Sequence, residues 1–359
     1  MIDPARPMPT KPPRMSLDPR MQAALEQRDY QLVSELGRGG MGTVYLAEHR
    51  KLGRRVAIKV LAQDRQTKEN SVLRFRREAR TFAQIRHPHI AQLYEFEDSG
   101  AIQFLALEYV EGTDIERERR RGRSWSVEEV GKMLYSLASA LAHTHHKGIL
   151  HRDIKPGNIL IERETGRVVL TDFGLAKGEA DESLTATGFA VGTPAYMSPE
   201  QISDRFGIEP DGRSDLFSLA VVAYEMLTGE HPFLAGDDIS TMRRIVKEKH
   251  KPLAPQRPDL PKTLASVLEE MLQKDPKSRI ASASAVVERL EPHFGPGSSS
   301  PHPRVAAATS PGTSDGASGT REQLEQLLSP GKLYLLIAAV AVVTLLLGVG
   351  LGILIVSML

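Results

Sequence analysis

Gly37-Arg38-Gly39-Gly40-Met41-Gly42-Thr43-Val44-Tyr45-Leu46-Ala47 is a glycine-rich turn between two apolar, strand-like runs. Glycine lets a backbone approach phosphate where a Cβ would collide. A dinucleotide-binding fold also uses such glycines, but there a strand leads into them and a helix opens at them. Here Val44 to Ala47 continues as strand. The chain therefore reads strand–turn–strand, and the dinucleotide reading loses.

Working outward, residues 55–61 form a third strand carrying Val56-Ala57-Ile58-Lys59. A lysine closing an apolar strand is costly to bury without a partner. Glu78 is the natural partner, on a basic amphipathic helix predicted over 71–85 with Val72, Phe75, Ala79, Phe82 and Ala83 on one side. The alternative is a surface lysine that buries only its stem. Residues 104–110 read as a short apolar strand. Helical patterns follow. Ser126-Val127-Glu128-Glu129 is a capping box ahead of Val130, Met133, Leu134, Leu137 and Leu141. Residues 216–227 are apolar nearly all round yet too short to span a bilayer, so they predict a buried central helix. Further helices are expected at 267–272 and 285–290. Strands first and helices later imply an α+β chain with two lobes.

His151-Arg152-Asp153-Ile154-Lys155-Pro156-Gly157-Asn158, followed by Asp172-Phe173-Gly174, supplies a carboxylate base, a lysine for phosphate charge and two magnesium ligands. Phosphoryl transfer from ATP requires those parts. In this order the motifs resemble the eukaryotic-type (Hanks-type) Ser/Thr protein kinases, and Gly39-Gly40-Met41-Gly42 resembles their bacterial membrane-anchored branch. The resemblance implies a bilobal protein kinase domain over 30–293, with an N-lobe at 30–107, a hinge at 108–111 and a C-lobe at 112–293.

It also implies roles. Asp153 would orient the substrate hydroxyl and accept its proton, and Lys155 would stabilise the transferring γ-phosphoryl. Lys59, paired with Glu78, would grip the α- and β-phosphates. Asn158 and Asp172 would hold Mg2+, with Mn2+ as an alternative. Gly37, Gly39 and Gly42 would lie over the phosphates. Leu36, Val44, Ala57, Leu107 and Leu160 would wall the adenine, the Glu108 and Val110 backbones would bond it, and Asp114 would contact the ribose; a plain surface acid is the other reading of Asp114. Thr193, in Gly192-Thr193-Pro194-Ala195-Tyr196, would bridge Asp153 and Lys155, in the pattern of Ser/Thr specificity. Glu200 would pair with Arg279, and Asp215 would brace the catalytic-loop backbone. Arg152 would receive a phosphate on the activation segment, with Thr185 and Thr187 as autophosphorylation sites; two ordinary loop threonines are the alternative. The chain departs from the pattern at Ser198-Pro199-Glu200, where the family usually has Ala first, at Phe217 for Trp and at Ala220 for Gly. All three bear on packing rather than chemistry.

Composition narrows the classes. The chain has 359 residues, a formal net charge of +1 and no cysteine. Near-neutrality argues against nucleic-acid binding by bulk charge, and the missing cysteines exclude disulfides and thiolate metal sites. His143, His145, His146 and His151 cluster near a helix end without a further ligand to complete a metal site, and His151 has a packing role in the kinase pattern. Arg117, Arg119, Arg120, Arg121 and Arg123 read as a solvated helix end, with an anionic docking patch as the alternative. Trp125 reads as packing at a helix start.

The ends differ sharply. Residues 1–29 are Pro-rich and expected to be extended and mobile, without a secretory signal. Residues 294–332 form a Gly/Pro/Ser/Thr-rich tether. Residues 333–359 contain no charge and would extend about 40 Å as a helix, more than the hydrocarbon core of about 30 Å. A single-pass transmembrane helix is expected, with the kinase domain on the cytoplasmic face of the cell membrane and Arg321 and Lys332 at the inner surface. Gly348 and Gly352 lie one turn apart, a candidate face for a homodimer that would favour autophosphorylation in trans. Protein substrates, ATP and the membrane are the expected partners. Two rival readings are a tethered scaffold that binds nucleotide without transfer and a small-molecule phosphotransferase of similar fold.

Overall fold

The computed structural model describes residues 18–39, 42–61, 79–98, 103–173 and 194–298. Its small lobe is a five-stranded antiparallel sheet, built from β1 (Tyr30–Gly39), β2 (Gly42–His49), β3 (Arg54–Leu61), β4 (Leu93–Asp98) and β5 (Gln103–Glu108) in the order β1-β2-β3-β5-β4. The β1–β2 pairing closes with Gly39 opposite Gly42, which bears out the strand–turn–strand reading. Period-two alternation divides β3 cleanly. Val56 and Ile58 are buried on one face with Tyr45, Ala47, Phe104 and Ala106, so Ala57 and Lys59 project from the other.

That first face is covered by α1 (Pro19–Gln27), which corrects the expectation of a mobile segment over 1–29 for its part from 18 onward; residues 1–17 lie outside the described residues. Asp18 caps the helix by accepting from the Arg20 N–H at 2.7 Å, Pro19 opens it, and Met21 and Leu25 sink into the sheet cluster. Proline suits the first position of a helix, where its missing N–H would have no partner anyway. Beyond it, Arg28 pairs with Glu95 at 3.0 Å and with Glu97, while the Tyr30 hydroxyl donates to Glu95 at 2.9 Å. Strand β4, with its alternating acids, is absent from the sequence reading. Of the helix expected over 71–85, the described part is helical at 79–82 and then turns. Ala83, expected on the buried side, is exposed, and Ile85 turns inward instead.

The large lobe surrounds α5 (Gly212–Thr228), buried along nearly its whole length. Before it come β6 (Gly112–Asp114), α2 (Ile115–Arg120), α3 (Val127–His146), β7 (Ile159–Glu162), β8 (Val168–Leu170) and α4 (Pro199–Ile202). After it come α6 (Asp238–Lys247), α7 (Leu253–Gln256), α8 (Lys262–Met271) and α9 (Ala283–Phe294). The capping box forms as read: Glu129 N–H donates to Ser126 Oγ at 3.1 Å, and Ser126 N–H donates to Glu129 Oε2 at 2.8 Å. α9 lies against α3 where Gly131 meets Phe294; a Cβ on that glycine would stand 2.2 Å from the ring. Sheet β6-β7-β8 carries the candidate site between the lobes. Among the described residues no helix is long and apolar enough to cross a membrane; residues 333–359 lie outside them.

Candidate active site

The loop 151–158 is held from beneath. Asp215, in the first turn of α5, accepts from the His151 N–H and the Arg152 N–H, each at 2.8 Å, and from His145 Nε2 at 2.8 Å. Burial would raise this carboxyl, but the His145 bond and charge, with His151 and its N–H, hold it below its ordinary value. The grip matters because Arg152 sits at φ 63°, a left-handed conformation that costs a non-glycine residue about 1–3 kcal/mol at such strained sites. Gly212 allows the approach: a Cβ there would stand 2.6 Å from His145 Nδ1. His151 is fully buried, its Nε2 set 2.9 Å from the Thr171 carbonyl, and burial pushes its pKa down. Two members of the sequence's histidine cluster therefore have defined partners in the loop's brace.

On this support the polar groups form one continuous chain. Lys155 Nζ donates to Asp153 Oδ2 at 2.8 Å. Asn158 Nδ2 donates to the Asp153 carbonyl at 2.8 Å and to its Oδ2 at 3.0 Å. The Asn158 carbonyl accepts from Thr171 N–H at 2.9 Å. Next in sequence is Asp172, at φ 57°, whose Oδ1 is 2.8 Å from Lys59 Nζ. Lys59 is thus buried with its charge paired across the cleft, not left at the surface. Phe173, next to Asp172, packs its ring 4.4 Å from His151 and 4.7 Å from Phe82.

The nucleotide side follows from strand register. Val44 pairs with Lys59 and Ala57 with Leu107, so these four share one face. Leu36, Val44, Ala57, Leu107 and Leu160 are all half-buried, apolar yet incompletely covered. The glycines separate into two kinds. Gly42, at φ 137°, is demanded by the fold, since a Cβ would meet the Val60 carbonyl at 1.9 Å. At Gly37 and Gly39 a Cβ would meet no described atom within 4 Å, so no contact among the described residues explains them. A ligand approaching this strand pair would.

Glu108 ends β5, and its N–H donates to the Gln92 carbonyl at 2.8 Å. Val110 packs with Ala91, Val169 and Leu160. Asp114 caps α2 by accepting from Arg117 N–H at 2.8 Å, so it is more than a plain surface acid. In the arginine run, Arg119 and Arg120 pair with Glu116, and Arg121 and Arg123 with Glu118. Arg123 also lies 4.0 Å over the buried Trp125 ring.

Glu200 and Arg279 form a two-pronged pair at 2.6 Å each, with both side chains almost fully buried, and Ser214 Oγ adds a 2.6 Å bond. Burial would raise Glu200; the Arg279 bonds bring it below its ordinary value. Glu78, Thr185, Thr187 and Thr193 lie outside the described residues. Sequence reading missed the contact of Tyr196, whose hydroxyl donates to buried Glu225 at 2.7 Å. It also missed Arg167, which bonds Glu108 at 2.6 Å. Neither pair carries a local signal, because the partners are far apart in sequence.

The residues present fit a magnesium nucleotide by their chemistry: an amide oxygen and a carboxylate on adjoining segments, a buried lysine beside them, and two glycines that no contact among the described residues explains. Comparison with known proteins agrees. Residues 30–290 match the protein kinase domain family. The chain is 37% identical over 279 residues to serine/threonine-protein kinase PknA of Mycobacterium tuberculosis, covering 76% of this chain and 63% of that protein. It is 36% identical over 264 residues to the probable serine/threonine-protein kinase pknA2 of Bifidobacterium longum, covering 73% of this chain and 34% of that protein. The match thus spans less than two thirds of either relative. The crystal structure of the Mycobacterium tuberculosis PknI kinase domain superposes with a TM-score of 0.57 at 28% identity, covering 73% of this chain and 95% of that domain.

Proposed function

Because the chain belongs to the protein kinase family, we propose that it transfers the γ-phosphoryl group of ATP to Ser and Thr hydroxyls of proteins. The observation that carries this reading is that the bonded groups Lys59–Asp172 and Asn158–Asp153–Lys155 are joined through the Thr171 N–H on the Asn158 carbonyl. In the step, the substrate oxygen bonds to the γ-phosphorus as its bond to the β–γ bridging oxygen breaks. ADP departs, and the hydroxyl proton passes to the Asp153 carboxylate. Lys155, bonded to that carboxylate, would stabilise the charge that develops on the transferring group. Lys59 would leave Asp172 for the α- and β-phosphates, with Glu78 as its other partner. Asn158 and Asp172 would hold Mg2+, which when bound neutralises phosphate charge and orients it. Leu36, Val44, Ala57, Leu107 and Leu160 would take the adenine face, and the backbones of Glu108 and Val110 its edge.

The peptide-facing segment supports a protein substrate over a small molecule. Pro194–Tyr196 is anchored through Tyr196 to Glu225, and Glu200 through Arg279 to the large lobe. Such bracing suits a groove for a chain. Phosphorylation of Thr185 and Thr187, received by Arg152, would activate the enzyme. The uncharged 333–359 segment would tether it to the cell membrane with the catalytic domain cytoplasmic, and pairing through Gly348 and Gly352 would bring copies together.

Incubating the full chain in detergent with labelled ATP, Mg2+ and a mixed protein substrate tests the activity, and mapping the label tests its positions. Label on Ser and Thr of the substrate supports transfer, and its absence with nucleotide still bound would favour the scaffold reading. A chain lacking 333–359 should leave the membrane fraction; if it stays in the pellet, the anchor lies elsewhere.

A further inference from the structure

Arg167, in the turn between β7 and β8, has its guanidinium shared among three segments. Nη2 donates to Glu108 Oε1 at 2.6 Å and to Glu162 Oε1 at 3.0 Å, Nε donates to Glu162 Oε2 at 3.2 Å, and Nη1 donates to the Pro88 carbonyl at 2.8 Å. Glu162 belongs to the large lobe, Pro88 to the connector that leads into β4, and Glu108 to the strand end where the chain passes between lobes. The planar fork of arginine can serve several acceptors at once; a lysine ammonium cannot match that arrangement. About three quarters of each of these charged side chains is screened from water, so the contacts are less weakened than surface pairs are.

The neighbouring backbone reinforces the connection. Leu170 N–H donates to the His89 carbonyl at 2.9 Å and Ala91 N–H to the Leu170 carbonyl at 3.0 Å, while His89 Nδ1 lies 2.7 Å from the Val168 carbonyl. The connector is therefore laced to β8 of the large lobe. Glu108 is held twice more by Gln92, through its N–H at 2.8 Å and its Oε2 at 3.2 Å from the Gln92 N–H. Arg167 completes a clasp behind the crossing point, opposite the half-buried face of Leu107.

We infer that Arg167 is a positioning residue for nucleotide binding, acting through Glu108 to hold the 108–111 crossing in the orientation that receives the adenine edge. The inference rests on the proposed kinase activity and deepens it. The phosphate-side groups, Lys59 with Asp172 and Asp153 with Lys155, are bonded to one another and not through the clasp, so the clasp governs binding rather than the transfer step. A purely structural role would lower stability without separating the two kinetic constants.

The test uses the full chain in detergent, with Arg167→Met and the milder Arg167→Lys. Arg167→Met should raise the KM for ATP about fivefold or more with kcat within about twofold, the pattern of lost binding that is equal in ground and transition states. Hydrogen exchange of the 108–112 amides, measured without nucleotide, should quicken. Arg167→Lys should fall between, and it keeps the proposal testable if the methionine variant does not fold. Unchanged KM and exchange, or a fall in kcat at constant KM, overturns the role. Should the wild-type chain transfer no phosphate, the kinase reading falls, while the exchange measurement still decides whether the clasp holds the crossing.

Discussion

The two halves of the site are supported by different physics. On the large-lobe side support comes from buried charge: Asp215, with His145 and two backbone N–H groups, holds the 151–158 loop, and Glu200 with Arg279 braces the start of α4. On the small-lobe side Lys59 stands on a sheet whose far face is sealed by apolar side chains from α1. Buried ionic groups hold geometry tightly but depend on every partner being present and correctly ionised. Apolar packing is non-directional and tolerates small changes. The half proposed to fix a proton acceptor therefore has the brittle support, and the half proposed to admit a nucleotide has the forgiving one.

This contrast can be broken in order of expected effect. Asp153→Asn removes the proton acceptor and should lower turnover by about 10²–10⁴-fold while ATP still binds, as read by labelled-phosphate transfer and nucleotide titration. Unaltered turnover would refute the assignment. Arg279→Met strands the Glu200 carboxylate and should cost about 3–5 kcal/mol, measured by urea unfolding; the double change with Glu200→Leu should recover part of the loss. Leu25→Ala, on the forgiving side, should cost about 2 kcal/mol, the low end for a core truncation, and leave the KM for peptide substrate unchanged. An effect as large as that of Arg279→Met would erase the distinction between the halves.

Acid should expose the same difference. Asp215 and Glu200 have depressed folded values, so their contribution is present above the ordinary carboxylate range and lost as pH falls through those values. Burial lowers His87 and His231 from 6.5 to about 4. Their unfolded forms bind protons first, so stability should fall as pH drops from about 6.5 toward 4. Urea midpoints at successive pH values check the slope. His231→Gln should flatten it, and a midpoint that rises on acidification would contradict the sign.

Much of the site was legible because the relevant chemistry is local. Asp153, Lys155 and Asn158 lie within one short loop, and the continuation of Val44 to Ala47 as strand needs no distant information. The face shared by Lys59, Val44 and Ala57 follows from period two. Reading failed where a residue's role depends on a remote partner. α1 looked mobile because prolines dominate the residues that lead into it; the sheet face that accepts Met21 and Leu25 begins only after it. Strand β4 lacks an apolar run, yet β5 and Arg28 pair with it. His145 looked like part of a histidine cluster until Asp215, on another helix, claimed it.

Residue order alone determined the two-lobed architecture, the pairing of the two strands that flank the glycines, the closeness of Asp153, Lys155 and Asn158 and the buried helix at 216–227, since spacing and periodicity are properties of neighbours along the chain. Folding decided the left-handed backbone at Arg152 and Asp172, the pairing of Lys59 with Asp172, the cap at Asp114 and the clasp at Arg167. Most of these depend on groups dozens of residues apart, and the strained backbone is tolerated only because a distant carboxylate or ring surrounds it.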